Sequence, residues 1–212
     1  MTDFILLTAN FNTTELTNTM IRSFRKQYGE NIETFVIDNS TTEHFTTTLK
    51  NVSIIDNFKF KNTPNLNCPS KNHCISINYA FSLIPVDNII LVDSDILFYP
   101  SIKKLIENFT FEKYDLCGEI GHDVLPTNRL FPYLCLINLK KIKEKGIAFF
   151  RENGIIKGVK DTGASFLEEC EKENLKIKEI KLSDYILHLK GATLNAKNWK
   201  EWIENNKNLW KI

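Results

Sequence analysis

Long apolar runs are missing from this 212-residue sequence. Nowhere does it approach the ~18–20 consecutive apolar residues that a membrane span needs. The run Phe4–Leu7 is too short for the hydrophobic region of a secretory signal, and Asp3 stands where such a signal carries basic residues. The chain therefore reads as soluble and cytoplasmic. A surplus of charge is missing as well: 27 basic residues face 26 acidic ones, so the net charge is 27 − 26 = +1. Phosphate backbones are bound by an excess of Lys and Arg, which excludes nucleic acid as the main partner. The five cysteines (Cys68, Cys74, Cys117, Cys135 and Cys170) show no CxxC spacing. Their odd number fits neither a zinc site nor a disulfide framework, so they read as buried or half-buried thiols. Without a secretory signal, the sequons at Asn12, Asn39, Asn51 and Asn108 carry no weight. Internal repeats and low-complexity linkers are also absent. At roughly 100–200 residues per domain, residues 1–212 read as one domain.

What is present is ordinary for a folded protein: 42% hydrophobic and 25% charged residues, which excludes a disordered or collagenous chain. Asn (23), Lys (23) and Ile (25) make up 71 of the 212 residues, a bias toward AT-rich codons that reflects genome composition. Short apolar runs alternate with helical periodicity from the start. Strands are expected at Phe4–Ala9, Thr34–Ile37 and Val52–Ile55, and helices at Leu16–Tyr28 and Ser70–Leu83. The strongest strand signal is Asn88–Phe98, NIILVDSDILF. A helix at Ser101–Phe109 and a strand near Asp115–Ile120 follow, then a long polar loop at Gly118–Arg129. The second half continues with a strand at Phe131–Asn138 and helices at Leu139–Lys145, Asp161–Glu173 and Asn198–Leu209. Short strands are expected there at Lys176–Ile180 and Tyr185–Leu189. This alternation implies an α/β fold with a largely parallel sheet buried on both faces.

Open parallel sheets bind ligands beyond the carboxyl ends of their strands. Here those ends carry short polar side chains: Asn10 and Asn12, Asp38 and Asn39, Asp93 and Asp95. In an extended strand, Asp93 and Asp95 at i and i+2 would share one side. Two carboxylates so close repel by roughly 1 kcal/mol even in water. A divalent cation between them removes that cost, and oxygen ligands suit Mg²⁺ or Mn²⁺, ions that commonly bridge to diphosphate oxygens. The plainer reading of Asp93-Ser94-Asp95 is a polar turn after a strand.

The segments TANFN (8–12), VIDNS (36–40), LVDSDILF (91–98) and DTG (161–163), in this order of elements, resemble nucleotide-sugar-dependent glycosyltransferases of the GT-A fold, nearest to the family-2-like members. The resemblance covers most of the chain up to about Leu189. It implies a Rossmann-like, mixed but mostly parallel sheet flanked by helices. Residues 1–100 would form the nucleotide-sugar-binding half, and 101–212 an acceptor-binding half ending in a C-terminal helix. By the same resemblance, the donor is a nucleoside diphosphate sugar on a UDP or GDP carrier, the cofactor Mn²⁺ or Mg²⁺, and the acceptor a saccharide, glycolipid or protein. Asp38 and Asn39 correspond to nucleobase contacts, and the backbone near Ala9 and Asn10 to base or ribose contacts. Asp93, Ser94 and Asp95 correspond to the ribose and metal contacts, mostly through Asp95. The segment 70–81 resembles the helix under the donor, with Ser70, His73 and Asn78 as polar contacts.

Asp161 opens DTGASFLEEC, where an Asp is a favoured helix N-cap. The resemblance to inverting GT-A enzymes, which carry an Asp or Glu near the start of a helix in this part of the chain, implies that it also serves as the general base that takes the proton from the acceptor hydroxyl, and one residue can serve both roles. Glu119 and Asp123 are rival bases in the preceding loop. His188, in YILHLKG, reads either as a satisfied histidine among apolar residues or as a third metal ligand, a role that late histidines fill in several GT-A enzymes. The loop Gly121-His122-Asp123 suits an acceptor contact or a lid. The aromatic C-terminal stretch, with Trp199, Trp202 and Trp210, reads as a helix docked on the core. The competing reading is a peripheral membrane contact.

Three other activities compete. A haloacid-dehalogenase-type phosphatase also places a DxD after an apolar strand, but wants Thr or Val where this chain has Leu97. A sugar nucleotidyltransferase wants a Gly-rich basic loop after the first strand, and the segment here is ANFNTTE. A non-catalytic nucleotide-sugar-binding protein would keep the pocket without turnover.

Overall fold

In the first strand, β1 (Phe4–Asn10), successive side chains point to opposite faces of the sheet and both faces are buried, which is why it opens on the continuous apolar run Phe4–Leu7. The computed structural model describes residues 4–57, 69–122, 128–149, 162–189 and 198–211. After β1 come α1 (Thr14–Tyr28), β2 (Thr34–Asp38), β3 (Val52–Asp56), α2 (Pro69–Leu83), β4 (Asn88–Val92) and β5 (Ile96–Phe98). Next are α3 (Ser101–Asn108), β6 (Leu116–Gly118), β7 (Ile120–Gly121), β8 (Arg129–Leu130), β9 (Leu134–Asn138) and α4 (Leu139–Glu144). The described chain ends with α5 (Ala164–Lys172), β10 (Ile177–Glu179), β11 (Ile186–His188) and α6 (Trp199–Asn205).

Seven strands form the main sheet in the order β10-β6-β9-β4-β1-β2-β3. The pairs β4–β1, β1–β2, β2–β3 and β6–β10 are parallel. Strand β9 runs antiparallel to both β4 and β6. The sheet is thus mixed and mostly parallel, with helices on both faces, as expected of the GT-A type. Ile5, Leu7, Ile89 and Leu91 pack on one face with Ile77 and Phe81 of α2 and Phe166 of α5. Leu6, Ile90 and Val92 pack on the other with Met20 and Phe24 of α1 and Ile102 of α3.

The segment Asn88–Phe98 is two strands rather than the one expected. The main sheet ends at Val92, the chain turns through Asp93–Asp95, and β5 leaves to pair antiparallel with β11. The reason is packing on both sides of the turn. Ile96, Leu97 and Phe98 are fully buried, the Phe98 ring meets Phe24 edge-on at 4.9 Å, and Phe98 N donates to Ser23 Oγ at 2.8 Å. The turn therefore sets the spacing of the two aspartates, not an extended i, i+2 repeat.

The C-terminal helix docks on the core. Ile203 packs on Leu16 of α1, flanked by Trp199, Trp202 and Trp210, and Gln27 Nε2 donates to Leu209 O at 3.1 Å. Among the described residues no helix is long and apolar enough to cross a membrane. Cys117, Cys135 and Cys170 are buried thiols, and burial pushes Cys117 up to about 12. Cys68 lies outside the described residues.

Candidate active site

The polar residues that follow β4 gather at the carboxyl edge of the sheet. One ligand atom each from Asp93, Asp95 and His188 lies within 4.8 Å of the others. Pairing of β5 with β11 brings the histidine in: His188 sits opposite Ile96, and Leu189 N donates to Asp95 O at 3.0 Å. His188 Nε2 then stands 3.3 Å from Asp95 Oδ1. From the other side, His73 of α2 brings Nε2 to 3.6 Å from Asp93 Oδ1. Neither of those two atoms has a hydrogen-bond partner among the described residues, although both are buried. Ser94 is buried between the two aspartates.

Burial pushes the Asp93 carboxyl above its ordinary value. His73 opposes the rise, Asp95 adds to it, and His188 and Arg129 pull it back. Charges about 4 Å apart repel by roughly 4 kcal/mol near a protein surface. A divalent cation would remove that repulsion and give the orphaned Asp93 oxygen a partner. Two carboxylates and an imidazole form a donor set that fits such an ion.

Beside this triad, the ends of β1 and β2 form a buried lattice. Asn10 Nδ2 donates to Asp38 Oδ1 (3.1 Å) and Ser40 Oγ (2.8 Å), while Asn10 Oδ1 accepts from Thr17 Oγ1 at 2.8 Å. Asp38 also accepts from Ser40 N at 3.1 Å and Phe45 N at 2.9 Å, and His44 Nδ1 lies 3.3 Å from its second oxygen. Burial alone would raise the Asp38 carboxyl, but its bonds from Ser40, Phe45 and Asn10 outweigh that and hold it below its ordinary value. Asn39 Oδ1 accepts from Asn57 Nδ2 at 2.7 Å. The side chains of Asn10, Asp38 and Asn39 thus shape the loop after β2 from beneath. Ala9 is half-buried, held in the parallel ladder opposite Ile37.

Other sequence candidates fall in different places. Ser70 lies in the first turn of α2, and Asn78 Oδ1 accepts from Phe149 N at 2.6 Å, a packing contact. Glu119 Oε2 accepts from Leu182 N, and His122 is exposed just after β7. Asp161 and Asp123 lie outside the described residues. The rest of the DTG segment is described, and it shows why its glycine is required. Gly163 has φ +88°, and a Cβ there would stand 2.0 Å from Leu130 O.

Three residues emerge that sequence reading passed over. Phe11, directly after β1 at the same edge of the sheet, is 42% exposed. Tyr133 lays its ring 4.0 Å from that of His188. Arg129 is buried, donating from Nη1 to Thr162 O at 3.2 Å and from Nη2 to Tyr133 Oη at 3.3 Å. Codon bias held the one available clue. The chain has 23 lysines and only 4 arginines, so each Arg stands out against a lysine background. Arg25 is also buried, with one Nη donating to Ile32 O and Asn51 O, each at 3.2 Å.

The family model of glycosyl transferase family 2 matches residues 6–163. Among solved structures, TarS of S. aureus in complex with UDP-GlcNAc aligns with a TM-score of 0.56 at 15% identity, over 97% of this chain and 65% of its own. The mannosyltransferase PcManGT of Pyrobaculum calidifontis, in complex with GDP-Man and Mn²⁺, aligns with a TM-score of 0.57 at 10% identity, over 94% of this chain and 59% of its own. GlyE of Streptococcus pneumoniae TIGR4 aligns with a TM-score of 0.57 at 14% identity, over 96% and 60%. At such identities the likeness is one of fold, and the chain spans less than two thirds of the length of these proteins. No curated protein matches the sequence.

Proposed function

The chain belongs to glycosyl transferase family 2, and from that premise we propose that it moves a sugar from a UDP- or GDP-sugar to an acceptor hydroxyl, with Mn²⁺ or Mg²⁺ and with inversion at the anomeric carbon. The observation that carries this reading is the convergence of Asp93, Asp95 and His188 within 4.8 Å at the carboxyl edge of the sheet. These three residues would hold the cation. When bound, it supplies Lewis-acid neutralisation of the charge that builds on the departing nucleoside diphosphate. The imidazole favours Mn²⁺ over Mg²⁺, whose usual ligands are all oxygen. Both nucleotide carriers have a precedent among proteins of like fold, one complexed with UDP-GlcNAc and another with GDP-Man.

The remaining work falls to the chain's own residues. The exposed Phe11 ring offers a stacking face for the nucleobase, and the Asn10–Asp38 lattice holds the loop beneath it. Asp161 takes the proton from the acceptor hydroxyl, whose oxygen bonds to the anomeric carbon from the face opposite the leaving group. The bond to the diphosphate breaks, and its electron pair leaves with the nucleotide. Residues 1–100 take the donor, and 101–212 the saccharide, glycolipid or protein acceptor.

A thermal-shift panel of UDP, GDP, CDP and ADP, each with and without Mn²⁺, tests the site. Binding to the native state at a hundredfold excess over Kd stabilises it by roughly 2.7 kcal/mol. The expected result is a shift that needs both one nucleotide and Mn²⁺ and is lost in Asp95→Ala. No shift with any nucleotide, together with magnesium-dependent phosphate release from a simple phosphoester, would replace the transferase reading with the phosphatase one.

A further inference from the structure

We infer that Arg129 is a positioning residue that ties the turn following Asp161 to the aromatic wall of the metal-ligating triad. The inference rests on the metal reading above but assigns a residue which that reading leaves out. Among the described residues, the Arg129 side chain reaches two separate pieces of chain. Its Nη1 donates to the carbonyl of Thr162, the residue directly after the proposed base. Its Nη2 donates to the hydroxyl of Tyr133, whose ring lies 4.0 Å from His188. The guanidinium also lies over the Phe131 ring at 4.8 Å, and Phe131 stacks on Tyr133 with an interplanar angle of 6°. The backbone of the same strand grips the same turn: Leu130 N donates to Gly163 O at 3.4 Å, and Leu130 O occupies the space where a Gly163 side chain would begin.

A continuous physical path therefore runs from Asp95 through His188, Tyr133 and Arg129 to Thr162. Lysine could keep the charge at position 129, but a single ammonium lacks the planar fork that presents two donors in fixed directions. Fixing His188 with a metal ion orders Tyr133, then Arg129, then the first turn of α5. The arrangement gives cation binding a structural consequence on the acceptor side of the site.

Hydrogen exchange tests this without any donor sugar. Amides of residues 162–167 are followed with and without Mn²⁺ in the wild type and in Arg129→Lys, Arg129→Met and Tyr133→Phe. Mn²⁺ binding is titrated separately in each by electron paramagnetic resonance. The expected result is about fivefold or greater slowing on Mn²⁺ addition in the wild type. Both Arg129 variants should lose that slowing while still binding Mn²⁺, because Asp93, Asp95 and His188 are unchanged. If the Arg129 variants do not fold, Tyr133→Phe decides, since it removes the hydroxyl link and keeps the stacked ring. Slowing that persists in the folded variants, or that is absent from a wild type binding Mn²⁺, overturns the inference. A wild type that fails to bind Mn²⁺ at all overturns the metal reading, and this inference with it.

Discussion

His188 stands 3.3 Å from Asp95 because β11 pairs antiparallel with β5, setting the histidine opposite Ile96, the residue after the aspartate. A two-stranded sheet of three residues per strand thus closes a gap of more than ninety residues in the chain. The triad is held by this small sheet on one side and by the end of β4 on the other. Its geometry consequently depends on contacts that are weak one by one.

The turn at Gly163 lies against the backbone of Leu130. In Gly163→Ala, the new methyl meets a backbone carbonyl rather than a flexible side chain, at a φ of +88° that L-residues rarely adopt. We predict a loss of roughly 1–3 kcal/mol, seen as a lower urea midpoint with an unchanged slope.

Asp38 makes stability depend on acid pH in a definite direction. Its folded value lies below the ordinary 3.8, so its contribution is present above 3.8 and is lost as pH falls through the folded value. Asp38→Asn replaces one acceptor oxygen with a donor among the backbone N–H groups of Ser40 and Phe45. Melting curves should show the variant less stable at pH 7. The gap to the wild type should narrow as pH is lowered below 3.8.

Much of this site is legible in the sequence, for a simple reason. Strands buried on both faces are continuous apolar runs, so the first polar residue after each run marks the edge of the sheet. Asp38 and Asp93 stand out that way. Hydropathy says nothing, however, about whether a strand continues through Asp93–Asp95, because Ile96–Phe98 are as apolar as what precedes them. Their departure is decided by β11 and α1, far away in sequence. Asn10 and Asp38 are recognisable as edge residues, yet their mutual hydrogen bond exists only once two parallel strands are in register. Tyr133 and Arg129 escape for a related reason. An aromatic inside the expected strand Phe131–Asn138 and an Arg closing the polar loop Gly118–Arg129 carry no mark of a role until the fold places Thr162 and His188 beside them.

Phe11 separates binding from stability. With 42% of its surface exposed, it adds little to the core. Stacking of a base on an aromatic side chain is worth roughly 1–3 kcal/mol, so Phe11→Ala should weaken nucleotide binding about 5- to 150-fold. Calorimetric titration with UDP and GDP in the presence of Mn²⁺ checks this. The unfolding midpoint should stay that of the wild type.

The central claim is that this edge of the sheet cleaves a nucleoside diphosphate sugar with inversion. Its most direct test is a panel of UDP- and GDP-sugars incubated with the protein, Mn²⁺ and a panel of saccharide acceptors, with nucleotide products followed by chromatography and the anomeric configuration of the new glycosidic bond by proton NMR. The predicted result is nucleoside diphosphate from one donor and a sugar product of inverted anomeric configuration. Turnover should fall by about 10²-fold or more in Asp95→Asn and Asp161→Asn. Intact donors throughout, or turnover that both variants retain, would contradict it.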